Sequence, residues 1–319
     1  PNENKDKNEV PDSISIYEYL SLVDEIQSES QNKIAVVNVE GTIVTGEASY
    51  NVAGSDTIVK NIRNAIKDDS VKALVLRVNS PGGDVWASEL ITNALSEFKS
   101  SGRPIVTSMG DIAASGGVWV TTLSDEIWAK NETITGSIGV YGIIPTLDGI
   151  YEWAGIQVDG VTSTKAGEWD ERLPMPEYVT KAIQASIDHT YDKFVSKVAE
   201  NRMVPDKEIL SIAGGRIWSG EKAVQLGLVD KIGDLDDAVE SAASSANLDD
   251  YMVVSYSKEM DPFDLFINEL LNSFGSKINV GSEIKMLAKI IDSNYKFIDL
   301  NKKINTAIYC FECEYISSQ

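Results

Sequence analysis

The chain has 319 residues, 43% of them hydrophobic and 24% charged, enough for a large buried core in a soluble globular protein of one main domain with appendages. Lys and Arg number 28 against 49 Asp and Glu, and the net charge of −21 argues against a nucleic-acid partner and against electrostatic attachment to anionic lipid. The acids are spread along the chain, so they read as solubility, with some scope for selecting cationic substrates, and not as an interaction tail.

Two cysteines, Cys310 and Cys313, stand in a Cys-Phe-Glu-Cys arrangement. One pair is no disulfide framework; it leaves open a redox pair, half of a metal site or a local disulfide, with zinc disfavoured because no second pair or nearby histidine accompanies it. No cofactor is expected. No run of about 18 apolar residues is present, so nothing in the sequence reads as a membrane span, and no signal peptide is visible. The first residue is Pro1, which leads us to expect processing or a start inside a longer protein.

Residues 1–33 read as a linker or docking arm, polar and acidic with a short amphipathic patch around Tyr17 to Val23. From Lys33 the character changes: Ile34 to Val39 is β-branched and apolar, a buried strand that continues past Gly41 into Ile43 and Val44. Ser55-Asp56 followed by Ile58, Ile62 and Ile66 predicts an N-cap and a helix ending at Asp68-Asp69. Val71 to Val78 is a second apolar strand, and it runs into Asn79-Ser80-Pro81-Gly82-Gly83-Asp84, a loop whose proline and paired glycines free the backbone where a helix begins, at Asp84 to Lys99. A helix start is amide-rich and partially positive, so this loop reads either as an anion-binding turn or as an ordinary β-α connection.

Pro104 to Met109 predicts a third strand, and it leads into Gly110-Asp111-Ile112-Ala113-Ala114-Ser115-Gly116-Gly117. A serine between two alanines and two glycines suits a sharp strand-to-helix turn that leaves its hydroxyl open and backbone amides nearby. The same small residues would equally serve a turn where two backbones pack closely. Glu126 to Ala129 is a fourth short strand, Thr135-Gly136-Ser137-Ile138-Gly139 a third small-residue turn, and Tyr178 to Val198 a helix. Gly214 to Gly220 precedes a short helix ending at Gly227, and Asp234 to Ala246 forms the last helix of the domain. Beyond about residue 250, apolar clusters at 263–274 and 286–298 read as helical faces packed on the body or on a partner chain.

Uniformly apolar strands alternating with helices imply βαβ units around a buried, mainly parallel sheet, with the Gly83 and Ser115 loops at the carboxyl ends of strands, where open α/β sheets place their active sites. A Ser-His-Asp triad would have to use His189, the only histidine, which reads as a surface residue of a helix.

Taken together, Ser80-Pro81-Gly82-Gly83, the Met109 to Gly117 stretch and Thr135 to Gly139 resemble, in order and spacing, the signature of the signal peptide peptidase A family, serine proteases of the Clp-protease/crotonase-like α/β fold. The resemblance extends to Gly215 to Gly220 and Gly227 to Asp230, and implies a protease domain over 34–248 followed by a mostly helical C-terminal extension over 249–319. It implies a nucleophile at Ser115, an oxyanion-stabilising backbone amide at Gly83, and a serine at Ser137 that hydrogen-bonds a catalytic lysine. Such a lysine has to be neutral to act as base. Single-repeat members carry it roughly fifty residues after the serine, where Lys165 stands here, but Val161 to Glu168 departs from their Lys-Ser-Gly-x-x-Lys-Asp pattern. The tail and its terminal CxxC look like the second half of the tandem, two-repeat form, in which the base comes from the first repeat. Lys165 then reads as a solvated loop lysine.

The expectation is therefore a Ser/Lys endopeptidase that cleaves short apolar peptides, such as remnant signal peptides, through an acyl-enzyme on Ser115. By the same resemblance it is a homo-oligomer in the bacterial cell envelope, facing the periplasm, attached to the membrane only through an upstream anchor and completed by an upstream repeat. Two other readings stand beside it: a catalytically silent half that contributes assembly contacts, and a crotonase-like acyl-CoA enzyme, which would need the oxyanion amides but no serine.

Overall fold

A computed structural model describes residues 30–49, 51–167 and 169–256, together with the backbone of 307–309. The larger sheet is a parallel layer in the order β10-β7-β6-β4-β1-β11, made of Lys231–Ile232, Glu126–Ala129, Ile105–Ala114, Val71–Ser80, Lys33–Glu40 and Met252–Tyr256. Off the end of β6, β8 (Ile134–Gly136) continues the parallel pairing, and β9 (Ile217–Ser219) closes on β8 antiparallel.

Both faces of this layer are covered, which is why its strands are apolar without alternation. Ala35, Val37, Val39, Leu74 and Leu76 pack with α1 (Ser55–Lys67), α2 (Val85–Lys99) and the end of α5 (Glu177–Arg202). The intervening Ile34, Val36, Ala73 and Val75 meet Ala238, Val239, Ala242 and Ala243 of α8 (Leu235–Ser245) on the other face. Alternate side chains of a strand point to opposite faces, so β1 and β4 hold both layers at once.

The helix starts differ in detail from expectation. Ser55 is the first residue of α1 and not its cap; Gly54 takes the cap position, and the Ser55 hydroxyl accepts the Gly46 amide at 3.3 Å. Asp234 does cap α8, in a reciprocal capping box with Asp237.

Ser80 to Asp84, read as a loop, contains a strand. β5 (Gly82–Asp84) lies in a second, smaller sheet in the order β12-β5-β2-β3, with Thr42–Val44 as β2, Val52–Gly54 as β3 and Ala307–Tyr309 as β12. The extended backbone available to paired glycines explains the difference, since they can join a ladder as readily as turn. Within the stretch read as a mostly helical extension, Met252–Tyr256 and Ala307–Tyr309 are strands. The apolar clusters at 263–274 and 286–298, Cys310, Cys313 and residues 1–29 lie outside the described residues.

Candidate active site

Three adjacent parallel strands end together. Ser80 of β4 is level with Ala113 of β6, and Ala114 of β6 is level with Gly136 of β8, so the loops after these strands meet in one place. The meeting depends on a bulge in β6: Val78 pairs with Met109, yet Ser80 pairs with Ala113, so Gly110, Asp111 and Ile112 stand opposite Asn79 alone, two residues more than the ladder needs. Asn79 fills the gap, its Oδ1 accepting the Ile112 amide at 3.2 Å, and a Cβ on Gly110 would stand 2.8 Å from that oxygen. Carbonyls freed by the bulge are satisfied from β8 and its approach, with Thr133 Oγ1 donating to Gly110 and Thr135 Oγ1 to Ala113, both at 2.7 Å.

Out of this bulge the chain turns at Ser115 with φ of 53° and ψ of −115°, a left-handed conformation that a non-glycine residue adopts only when its surroundings impose it. The imposition is visible. The Ser115 amide donates to the Gly136 carbonyl at 2.9 Å, and the Ser115 carbonyl accepts from Val118 and Trp119, starting the short helix α3 (Gly116–Trp119). Gly116 and Gly117 are required by close approach: added Cβ atoms would stand 3.1 Å from the Gly83 amide nitrogen and 2.7 Å from the Ser80 carbonyl. The Ser115 turn is thus packed directly on the amide of Gly83. Gly83 is equally confined, since a Cβ there would lie 1.9 Å from the Ile43 carbonyl at a φ of 154°.

Ser115 is fully buried, although an open hydroxyl was expected; β5, β8 and β12 close around the turn, and β12 lies against α3. Its Oγ makes no hydrogen bond, the one buried side-chain polar atom among the described residues without a partner. Burying a hydroxyl unpaired costs free energy, of the order of 1–3 kcal/mol, and places that persist in doing so are places where chemistry is expected.

Ser137 follows Gly136, is nearly buried, and has a φ of 50°, its amide held by the Arg216 carbonyl at 2.7 Å. Ser115, Gly83 and Ser137 are therefore brought together. Lys165 and His189 are not: both are exposed, Lys165 in a short 3-10 turn and His189 on α5, and neither hydrogen-bonds Ser115. The start of α2 is also not an open anion site as the loop chemistry suggested, because the Asp84 carboxylate caps it, accepting the Ala87 amide at 2.9 Å. That removes the start of α2 as an anion site and leaves the Gly83 amide, packed on the Ser115 turn, as the backbone donor nearest to it among those described above.

Sequence reading missed the supports. Ser88 donates to the Asp84 carbonyl at 2.9 Å, and its Oγ stands 2.9 Å from the place a Gly116 Cβ would take. Glu89 holds the far end of α3: its carboxylate accepts Trp119 Nε1 at 3.0 Å and Lys193 Nζ at 2.9 Å and pairs with the Lys197 ammonium at 3.3 Å, while the Trp119 ring tilts on Phe194 at 4.9 Å. Burial works to raise the Glu89 pKa, but the Lys193 hydrogen bond, the two lysine charges and the indole outweigh it, and the group is held below the usual carboxylate range. Glu89 lies six residues after Gly83 and is half-buried on α2, a signal that was readable as a charge on a core-packed helix seeking a partner.

This arrangement has relatives. The chain is 43% identical over 216 residues to Protease 4 of Haemophilus influenzae, covering 68% of this chain and 35% of that protein. It is 35% identical over 308 residues to Protease 4 of Salmonella typhi, covering 94% of this chain and 49% of that protein. A candidate signal peptide peptidase SppA of Enterococcus faecium is 35% identical over 244 residues, which is 73% of this chain and 70% of that protein. The chain thus spans between a third and a half of the length of the Protease 4 relatives and most of the shorter one. Residues 97–249, which hold Ser115, Ser137 and the strands that join them, match Peptidase family S49, and with these relatives the chain belongs to that family.

Proposed function

We propose that this chain is the nucleophile-bearing half of a tandem serine endopeptidase of the SppA type, working with a lysine supplied by an upstream repeat. The observation that carries the reading is the unpartnered Ser115 Oγ, buried at a strained turn beside the Gly83 amide. An apolar peptide in extended form adds along β5. Ser115 Oγ attacks the scissile carbonyl carbon while its proton passes to a neutral lysine amine; the C=O electron pair becomes an oxyanion facing the Gly83 amide. Collapse breaks the C–N bond, the lysine returns the proton to the departing amine, and water, deprotonated by the same lysine, hydrolyses the ester and restores Ser115. Ser137, three elements further along the chain but brought to the same place by β8, orients the lysine. One relative is named as a signal peptide peptidase, an activity met where exported chains cross the bacterial membrane, and this supports an envelope setting for this chain; among the described residues no helix is long and apolar enough to cross a membrane.

That no lysine among the described residues hydrogen-bonds Ser115 favours one further reading, a half that is silent in isolation. Both are tested with a fluorophosphonate probe on the full-length polypeptide. Labelling that disappears in Ser115→Ala, with peptide hydrolysis reduced by about 10⁴-fold or more, is the expected result. No labelling of the full-length protein would sink the peptidase reading. In that polypeptide Lys165→Ala should leave hydrolysis within about twofold; abolition by it would place the base in this chain.

A further inference from the structure

The helix that opens at Ser115, α3, has four residues, and the first two are glycines with no side chain to fix its roll. Its grip comes from Trp119. The Trp119 backbone amide donates to the Ser115 carbonyl at 3.0 Å, while its fully buried side chain donates through Nε1 to the Glu89 carboxylate, also at 3.0 Å. One residue thus ties the strained Ser115 turn to α2. The carboxylate is itself held from α5, where Lys193 Nζ donates to it at 2.9 Å and Lys197 Nζ pairs with it at 3.3 Å. An ionised acceptor makes a stronger hydrogen bond than a neutral one, so the indole is anchored firmly.

The same helix also carries the Gly83 amide. β5 runs straight into α2, Asp84 caps it through the Ala87 amide, and Glu89 follows about one turn into the helix. Between these two points Ser88 Oγ stands 2.9 Å from the place a Gly116 Cβ would take. A single helix therefore references Gly83 at its start and α3 through Glu89.

We propose that Glu89 is a positioning residue for Ser115: by holding the Trp119 indole it fixes the roll of α3, and with it the placement of the Ser115 hydroxyl against the Gly83 amide. This rests on the peptidase reading for its catalytic consequence, though not for the anchorage. Misplacing a reacting group by about 1 Å costs about 10²-fold in rate. A displaced nucleophile lowers kcat and leaves KM in place, because the contacts that bind the peptide are untouched.

The test separates the indole acceptor from the lysine pairs. Glu89→Gln keeps an acceptor for Trp119 and loses the ionic attraction of both lysines; Glu89→Leu loses the acceptor as well. In the full-length polypeptide, at a temperature where circular dichroism shows both variants folded, kcat for a fluorogenic leucine-rich peptide should fall by about 10–100-fold in Glu89→Leu with KM within about twofold. Fluorophosphonate labelling of Ser115 should slow by the same factor, and Glu89→Gln should stay within about threefold of the native protein. Native kcat in both variants, or equal losses in both, would overturn the proposal. Trp119→Phe keeps a ring beside Phe194 but has no N–H to give, so it should lose kcat by a similar factor, and combining it with Glu89→Leu should cost no more than either change alone. Losses that multiply overturn the link, as does native kcat in Trp119→Phe should Glu89→Leu fail to fold. A native full-length protein that never labels removes the peptidase reading, and the anchorage is then judged by hydrogen exchange of a fragment spanning 113–120. That exchange should quicken by about tenfold in Glu89→Leu and stay slow in Glu89→Gln, and equal exchange in the two overturns the anchorage too.

Discussion

The turn at Ser115 and the stretch from Tyr141 to Tyr178 are built on opposite terms. Around Ser115 every neighbour is determined from within: β4, β6 and β8 fix the backbone, glycines admit close contact, and Trp119 is fully buried at the far end of α3. Between Tyr141 and Tyr178 the chain carries the short helix α4 (Asp148–Trp153) and leaves large apolar side chains uncovered, with Trp153 at 88% and Val161 at 101% of full exposure. The first region has the rigidity that the proposed nucleophile needs, and no lysine among the described residues hydrogen-bonds it. The second has the surface of an interface. A single absent body, the upstream repeat or a second copy, would account for both.

Two tryptophans give the sharpest way to break this contrast. Trp119→Ala empties a buried ring site against Phe194 and should lower the unfolding free energy by about 3–5 kcal/mol. Trp153→Ala, on a ring that touches solvent, should stay within about 0.5 kcal/mol. Urea unfolding of the two variants decides it. Comparable losses would mean that the exposed stretch is held by this chain after all.

Next comes the amide of Gly83. Alanine there meets the Ile43 carbonyl at 1.9 Å and forces β5 or β2 to shift. Losing one oxyanion donor costs about 10²–10³ in kcat in other acyl-transfer enzymes. Alanine keeps its amide N–H, so Gly83→Ala displaces the proposed donor rather than deleting it, and in the full-length protein should lose up to that much hydrolysis while Ser115 keeps some probe labelling. Loss of hydrolysis equal to that of Ser115→Ala, with the fold intact by circular dichroism, would indicate that Gly83 does more than stabilise charge.

The core strands were legible because each is a run of β-branched and aliphatic residues with no polar interruption, and the site because serine, alanine and glycine cluster at three strand ends. What sequence did not show is the reason these ends coincide. The bulge at Gly110 to Ile112 is a register shift set by Asn79 on one strand and by Thr133 and Thr135 on another, and no local pattern announces a pairing between residues more than twenty positions apart. Gly82–Asp84 read as a turn because Pro-Gly-Gly usually is one; long-range pairing with Ile43 overrode the local preference. Burial of Ser115 was equally invisible, since the covering strand comes from residue 307 onward.

Glu89 offers a pH test of how firmly α3 is held. Its folded pKa lies below the usual value near 4.3, so its contribution is present above about pH 4.3 and is lost as pH falls through the lower folded value. The stability difference between the native chain and Glu89→Gln should be constant from about pH 7 to 5 and shrink below about pH 4. Glutamine keeps an acceptor for Trp119, so a difference that persists unchanged at pH 3 would assign the effect to packing and not to the lysine pairs.

The smallest expected effect on stability belongs to the exposed stretch, and there the informative quantity is mass. A chain with a net charge of −21 has little reason to leave Ile143, Ile150, Trp153, Ile156 and Val161 in water unless something covers them. Ile150→Ser with Trp153→Ser should leave the urea midpoint of this chain unmoved. In the full-length polypeptide the same pair should reduce hydrolysis if the stretch seats the proposed upstream repeat with its lysine, and should shift the sedimentation mass toward smaller species if it seats a second copy. Smaller species with full hydrolysis would separate assembly from catalysis and point to a base delivered within one polypeptide. Unchanged mass and unchanged hydrolysis would remove the interface altogether, and with it the idea that one missing body explains both the bare surface and the unpartnered serine.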